Sequence, residues 1–549
     1  KSALFTGFIT CIAMLAAVGP GRLEQLSRGQ QWRGMGLIDN RNSPYGNIAL
    51  TAKAGQKTFF YNGATIITTP DPDTAFVEEF GNFPLLFHPA PRQVLVVGAG
   101  AGGLLNEILK HPHVRIDYAE LDPLIIKMLK LYPCELTERE LSDKRVNLIN
   151  SDGRRFLHKT RIRYDLILIG LSQPSDLITN RLFTEEFFSL AKTRLNKNGI
   201  IALWLPGSLT YISKELRDLN ACILNGLNAR FVNTRVIPGD YNIILASDWQ
   251  GLIGVTAAEL SGRLAKLGIK TSLLNPAYLE YRLGEGWVKW FNQSQAQATQ
   301  EINRDLQPFA VFQMLIFWNK QFSFRLARVL QALQGLNLKL ILSAIAVISI
   351  LLLPIFRRRP KFSIAYCIAT TGFFGMLVNL LLIFSFQVFY GCLYYMLGLL
   401  IAVFMAGIAS GSALITRSID RLQSPVKLLI RLEVMIALFT LALGWALTRF
   451  SGWVSSYWVF IPLFFLPGFL LGLEFPLASR IYLGNKGEVG ATVGLLCAAD
   501  LLGGWVAGIL GGIIFLPILG LFNTCLVIVL LKISSIFLLK TSNPTYGVE

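Results

Sequence analysis

Histidine is scarce in this sequence: the 549 residues hold four, and none are spaced HxxxH. A histidine-built metal centre is therefore not expected. Cysteine is almost as thin. Cys11, Cys367, Cys392, Cys497 and Cys525 lie in apolar runs, only Cys134 and Cys222 fall in the polar part, and no CxxC occurs. That spacing excludes a zinc ribbon and a disulfide framework, so no metal is expected at all. Charge is also low, at 15% of residues against 53% hydrophobic, too apolar for a soluble enzyme of this length. The charge present is lopsided, 51 basic against 34 acidic residues, a formal net of +17. No basic run is interleaved with aromatics, so nucleic acid is not an expected partner. The excess fits cytoplasmic loops and lipid headgroups of a membrane protein.

The apolar residues are unevenly spread. Runs near 20 residues, each long enough to cross a hydrocarbon core of about 30 Å, are expected at 336–356, 363–386, 391–415, 428–448, 457–478, 490–516 and 520–540. A further span is expected at 1–20. It opens without a methionine and lacks a small-x-small cleavage site, so an upstream extension is expected. The organisation that follows is a span at 1–20, a small β-region at 21–90, a nucleotide-binding domain at 91–250, a helical connector at 251–334 and a membrane domain of about seven spans at 335–549. Asn62-Gly63 between two strand-like runs reads as a hairpin turn. The connector stretch from Phe309 to Leu333 reads as an amphipathic helix lying on the membrane surface.

From residue 91 strands and helices alternate. Val94–Val97 is followed at once by Gly98-Ala99-Gly100-Ala101-Gly102-Gly103 and a helix, with Glu120 closing the next strand and Asp152 following the third. Glycines behind a buried strand let backbone approach a ligand, and the helix N-terminus favours polar or anionic groups. An acid after the second strand accepts ribose hydroxyls. Asp152 stands where an adenine amino group is read. The bland alternative is an empty turn with two solvated loop acids. The fold expected is an α/β Rossmann-like, methyltransferase-type domain with a small N-terminal β-region, joined to a polytopic α-helical membrane domain.

The soluble part resembles the spermidine/spermine synthases, the polyamine aminopropyltransferases, over roughly residues 40–250. The likeness rests on Ser43-Pro44-Tyr45-Gly46, the Asn62-Gly63 turn, Phe76-Val77-Glu78, His88-Pro89, the glycine turn, Glu120-Leu121-Asp122, Asp152-Gly153-Arg154-Arg155-Phe156-Leu157, Leu182-Phe183-Thr184-Glu185-Glu186-Phe187 and Val236-Ile237-Pro238. It implies a site for decarboxylated S-adenosylmethionine, or S-adenosylmethionine itself, with Gly98, Gly100, Gly102, Glu120 and Asp152 as nucleoside contacts. It also marks departures. The family carries acids where Ala101, Gly170 and Gln173 stand, and those acids bind the amine and help deprotonate the attacking nitrogen. Ordinary spermidine synthesis is therefore not expected. Asp176 and Glu78 are the nearby carboxylates that could replace the missing base, and the bland reading of Asp176 is a solvated loop residue.

The membrane half resembles the region fused to spermidine-synthase-like domains in bacteria, sometimes described as transporter-like. The matching residues are Phe404–Gly411, Leu473-Glu474-Phe475-Pro476-Leu477, Asp500-Leu501-Leu502-Gly503 and Leu516-Pro517-Ile518-Leu519-Gly520. Glu433, Glu474 and Asp500 are acids within or at the ends of spans, where ionisable groups mark polar paths or interhelical pairs. Glu433 with Arg431 is one expected pair. Three functions stay open: a transferase using an adenosylmethionine-type donor, a degenerate scaffold or subunit of a larger membrane assembly, and a transporter. The expected location is a bacterial inner membrane, with lipid and other membrane subunits as partners. The basic loops at 357–361, 417–427 and 480–486 point to the cytoplasm. They lean the soluble part to the outer face, although adenosylmethionine is a cytoplasmic metabolite.

Overall fold

A computed structural model describes residues 19–171, 173–391, 394–449, 457–484 and 488–542. The span expected at 1–20 therefore lies outside the described residues except for its last two positions.

Two sheets build the soluble half. The first is an antiparallel meander of β1 (Leu37–Asn42), β2 (Asn47–Lys53), β3 (Gln56–Tyr61) and β4 (Ala64–Thr69). Tyr61 pairs with Ala64, and Asn62 and Gly63 between them have φ of 50° and 83°. Two successive positive φ values define the turn whose twist matches a hairpin, and Asn-Gly is the dipeptide that tolerates them. The region is not purely β: helices Pro20–Gln31 and Thr74–Phe87 flank the meander. Asp73 starts the second of these by accepting the Phe76 N–H, a side-chain cap that strand-like neighbours hid from sequence reading.

The second sheet has seven strands in the order β10-β11-β9-β8-β5-β6-β7. These are β5 (Gln93–Val97), β6 (Arg115–Glu120), β7 (Val146–Asn150), β8 (Tyr164–Ile169), β9 (Leu195–Pro206), β10 (Asn233–Ile237) and β11 (Tyr241–Ser247). β5 to β9 pair in parallel, and β9-β11 and β10-β11 pair antiparallel. Central strands such as β5 are wholly buried because helices cover both faces, which is why Val94–Val97 reads as an unbroken apolar run. The order reverses direction at β5, and the loops following β5, β6, β7 and β8 open on the carboxyl edge, where such sheets bind ligands.

The connector is helical, but the stretch from Phe309 is two helices, Phe309–Phe322 and Phe324–Leu333, broken at Ser323. The first buries Phe309, Phe312 and Met314 and packs on helix Lys214–Asn228, so it belongs to the soluble core and not to a single surface-lying helix. The second keeps Arg325 and Arg328 on an exposed face.

Among the described residues, five stretches beyond residue 337 are long and apolar enough to cross a membrane: Leu338–Arg358, Lys361–Tyr390, Met396–Ser418, Tyr457–Leu483 and Val489–Ser542. The last contains two helices, Val489–Leu510 and Gly520–Ser542, joined through a π-helical segment carrying Pro517. Helix Pro425–Arg449, which carries Lys427, Arg431, Glu433 and Arg449, is not one of the five. Each of the seven spans drawn from the sequence thus falls on a helix, and five stretches meet the length and apolarity of a span. Small residues bring these helices close. A Cβ at Gly407, Gly411, Gly468, Gly472 or Gly503 would collide with a carbonyl of the facing helix.

The two halves touch. Gln307 donates to the Ile518 carbonyl at 2.9 Å, the Leu521 N–H donates to the Leu306 carbonyl at 2.9 Å, and Arg181 Nε donates to the Val388 carbonyl at 2.9 Å. The soluble domain therefore sits at the bundle end where the Lys361–Tyr390 helix finishes and the Gly520–Ser542 helix begins.

Candidate functional site

The residues expected to hold a nucleoside gather on one edge of the large sheet. The glycine turn leaves β5, Glu120 ends β6 and Asp152 follows β7, three neighbouring strands. Gly98, Ala99, Gly102 and Gly103 have φ of 66°, 48°, 95° and 122°. A side chain at Gly100 would stand 2.8 Å from the Tyr118 ring, and one at Gly102 would stand 2.6 Å from Ile67 of β4. These glycines are fixed as much by packing against the meander as by room for a ligand.

The helix behind the turn, Leu104–Leu109, already has an anion at its N-terminus. Glu140 accepts the N–H groups of Gly102 and Gly103 at 2.7 Å each and of Asn106 at 3.0 Å. Burial pushes its carboxyl up to about 7 against the pull of those three donors. No local motif announces Glu140: its partners lie 34 to 38 residues upstream. A pyrophosphate at this helix end would have to displace it, so the turn is not built as a dinucleotide site.

Glu120 is buried, accepts the Tyr118 hydroxyl at 2.7 Å and the Asp122 N–H at 3.3 Å, and burial raises its carboxyl above the usual range. Asp122 next to it accepts the Ser43 hydroxyl at 2.5 Å, which ties the Ser43-Pro44-Tyr45-Gly46 turn of the meander to the end of β6. Asp152 caps helix Gly153–Lys159 through the Arg155 N–H at 2.8 Å and pairs with Arg181 at 2.9 Å. Burial pushes its carboxyl up, but the Arg181 guanidinium and the Arg155 N–H outweigh this and hold it below the ordinary value.

Both candidate replacement bases hydrogen-bond to backbone N–H groups in this arrangement. Both Glu78 oxygens accept backbone N–H groups, from Ser272 at 2.6 Å and Leu273 at 2.8 Å. Asp176 caps its own short helix through Ile178 and Thr179, at 2.8 Å each. The end of β8 is closed as well. A Cβ on Gly170 would collide with the Gly98 carbonyl, and the Trp204 indole N–H donates to the Gly170 carbonyl at 3.0 Å. Trp204 packs against Phe76 in a tilted arrangement and against Tyr241 edge to face, at 4.5 and 5.2 Å between ring centres, and the Tyr241 hydroxyl donates to Asp73 at 2.7 Å. Aromatic side chains thus stand beside the position where an acid was expected. Ala101 is buried without a polar group. Among the described residues, no three His, Cys, Asp or Glu side chains group so as to hold a metal.

Comparison with known proteins places this arrangement. The spermine/spermidine synthase domain profile matches residues 74–219. Polyamine aminopropyltransferase 1 of Pseudomonas aeruginosa is 34% identical over 216 residues, covering 38% of this chain and 74% of that protein. The chain belongs to the polyamine aminopropyltransferase family. The polyamine aminopropyltransferase of Methanocaldococcus jannaschii is 36% identical over 138 residues, 25% of this chain and 46% of the relative. That of Leptospira biflexa is 30% identical over 177 residues, 32% of this chain and 62% of the relative. The chain thus spans only about half to three quarters of these aminopropyltransferases. A spermidine synthase crystallised with the transition-state analogue AdoDATO aligns with TM-score 0.40 and 22% identity, over 47% of this chain and 88% of that one.

Proposed function

We propose that the soluble half is a nucleoside-binding domain that takes decarboxylated S-adenosylmethionine, or S-adenosylmethionine, and that conversion of putrescine to spermidine is not its reaction. Glu120 reads the ribose hydroxyls, Asp152 reads the adenine amino group, and the Gly98–Gly103 backbone lines the approach. A sulfonium nucleoside is cationic and carries no phosphate. It suits a turn whose helix end is occupied by Glu140 and whose rim carries Glu120 and Asp152.

One observation carries the second half of the proposal. The end of β8 has no room for the acid that amine transfer in this family uses, because Gly170 packs on the Gly98 carbonyl. An attacking amine must lose its proton to act as a nucleophile; both Glu78 oxygens are taken by backbone N–H groups, and Asp176 Oδ1 caps its own helix. The test is a product assay on the full chain in lipid, with decarboxylated S-adenosylmethionine and putrescine. Neither spermidine nor methylthioadenosine should form above the protein-free control, and formation of both would overturn this reading.

A second reading, a scaffold in a larger membrane assembly, is favoured by Arg181, which joins Asp152 to the end of a membrane helix. It predicts no nucleoside binding and co-purification with another membrane subunit. Transport is a third reading, motivated by the acids at Glu433, Glu474 and Asp500. For all three the bilayer is a partner. The Arg357–Lys361 turn, the Arg417–Lys427 segment and Arg480 fall at the bundle end away from the soluble half. The positive-inside rule then supports an outer-face soluble domain in a bacterial inner membrane. Protease digestion of right-side-out against inverted vesicles checks that side.

A further inference from the structure

The membrane bundle holds a group of ionisable side chains that the nucleoside reading does not use. Lys532, Glu433 and Glu474 are each fully buried. They come from three helices, Gly520–Ser542, Pro425–Arg449 and Phe460–Leu483, and meet at Thr371 of the Lys361–Tyr390 helix. Lys532 lies twelve residues inside its helix, about 18 Å from the Gly520 end, near the middle of the bundle. It donates to Glu433 Oε1 at 2.8 Å and to Thr371 Oγ1 at 2.7 Å, and stands 3.6 Å from Glu474 Oε2. Sequence reading found both glutamates and missed the lysine. Arg431, the partner expected for Glu433, is instead exposed on the other side of its helix.

The charges do not balance. Two carboxylates and one ammonium leave one negative charge in a site without water-facing surface, a costly arrangement that one proton removes. The hydrogen bonds say which acid holds that proton. Glu433 Oε1 accepts from Lys532 and from the Cys367 thiol at 3.0 Å, as an ionised carboxylate would. Thr371 has one hydroxyl proton and two lone pairs. Its hydroxyl reaches back to the Cys367 carbonyl at 2.9 Å, the usual bond for threonine inside a membrane helix. It accepts from Lys532. Its third contact, Glu474 Oε2 at 2.5 Å, is then satisfied by a proton on Glu474. Glu474 Oε1 and Glu433 Oε2 are both buried without a hydrogen-bond partner among the described residues, so the assignment rests on Lys532, which lies 2.8 Å from Glu433 and 3.6 Å from Glu474, and on the short Thr371 contact.

We propose that Glu474 is a proton-binding site: it carries one proton donated to Thr371, while Glu433 is the ionised partner of Lys532. The site takes a proton and not a metal cation, because Lys532 already fills the cation position between the acids. Its occupancy bears on four helices at once. With Glu474 ionised, Lys532 is drawn from Glu433 toward Glu474 Oε2, and the Pro425–Arg449 helix loses its ionic tie. The other ionisable groups facing this site are Cys367 and Tyr366 on the Lys361–Tyr390 helix and Asp500 on Val489–Leu510, whose backbone packs on Gly372. This inference is independent of the nucleoside reading.

Infrared spectroscopy of the full chain in phosphatidylcholine–phosphatidylglycerol bilayers at pH 7 tests it. Wild type should show the carbonyl stretch of a protonated carboxylic acid, shifted on exchange into D2O. Glu140 also holds part of a proton at this pH, so the Glu474 band is read in the wild-type-minus-Glu474→Gln difference, where it should appear while the variant elutes and melts like wild type, because the amide N–H replaces the acid proton toward Thr371. Lys532→Met should strengthen the band, because Glu433 then also takes a proton. If Glu474→Gln fails to fold, Glu474→Asp should move the band in frequency without abolishing it. Absence of the band in wild type, or a wild-type-minus-Glu474→Gln difference spectrum without it, would each overturn the proposal.

Discussion

Arg181 holds the Asp152 carboxylate at 2.9 Å with one guanidinium nitrogen and donates from Nε to the Val388 carbonyl, also at 2.9 Å. The residue expected to read adenine is thereby one side chain away from the end of a membrane helix. Gly391, just beyond that helix, has a φ of 84°, which favours glycine, and a Cβ there would stand 3.2 Å from Arg181 and 3.6 Å from Asp152.

Arg181→Ala should destabilise the full chain by about 3 kcal/mol, because it strands a largely buried carboxylate and frees a helix-end carbonyl. Arg181→Lys should recover only part of this, since one ammonium cannot reproduce the two-sided geometry. Thermal unfolding in detergent, followed by tryptophan fluorescence, checks both. Equal stability of all three proteins would contradict the bridging role.

Gly170→Asp should not restore amine transfer. The new side chain meets the Gly98 carbonyl, so the substitution should cost about 1–3 kcal/mol, as overpacking does. The check is a melting curve alongside the product assay. A stable variant that forms spermidine would show that the strand end can open.

Asp176→Asn should leave stability and nucleoside affinity within error of wild type, since asparagine caps a helix as well as aspartate does. Glu78→Gln should cost about 1–3 kcal/mol, because only one of its two side-chain groups can accept from Ser272 and Leu273. Chemical denaturation measures both. If wild type does form methylthioadenosine in the product assay and either variant abolishes it without loss of stability, that residue is reinstated as a base.

Stability should fall as pH rises between about 4.5 and 7 through Glu140. Its carboxyl is raised to about 7 in the folded protein, so across that window the native state holds a proton that the unfolded chain has lost. The contribution approaches 1.4 kcal/mol per pH unit within the window and is absent below it. Glu140→Gln should flatten this slope, as read from denaturation midpoints at pH 5, 6 and 7. An unchanged slope would place the titration elsewhere.

Much of the soluble fold was legible because its signals are local. Asn62-Gly63 forces two positive φ values and so a hairpin, and a buried apolar strand followed by glycines and a helix has few other solutions. The acids at Glu120 and Asp152 follow from strand ends for the same reason. What was not legible depends on residues distant in the chain. Glu140 reaches back to Gly102, Arg181 meets Val388, and Lys532 meets Glu433, and no spacing rule connects any of these pairs. The lysine itself was visible as a lone charge in an apolar run. The break at Ser323 was hidden because apolar periodicity continues across it. Glu78 reads from sequence as a catalytic candidate, but the loop that occupies it arrives from residues 272 and 273.

Calorimetric titration of the full chain in lipid with methylthioadenosine tests the central claim most directly. The nucleoside reading predicts saturable one-site binding that weakens at least about tenfold in Glu120→Ala, where two ribose hydroxyls lose their acceptor, while Asp176→Asn binds like wild type. No heat of binding in wild type, or equal affinity in Glu120→Ala, would contradict it and leave the scaffold reading in its place.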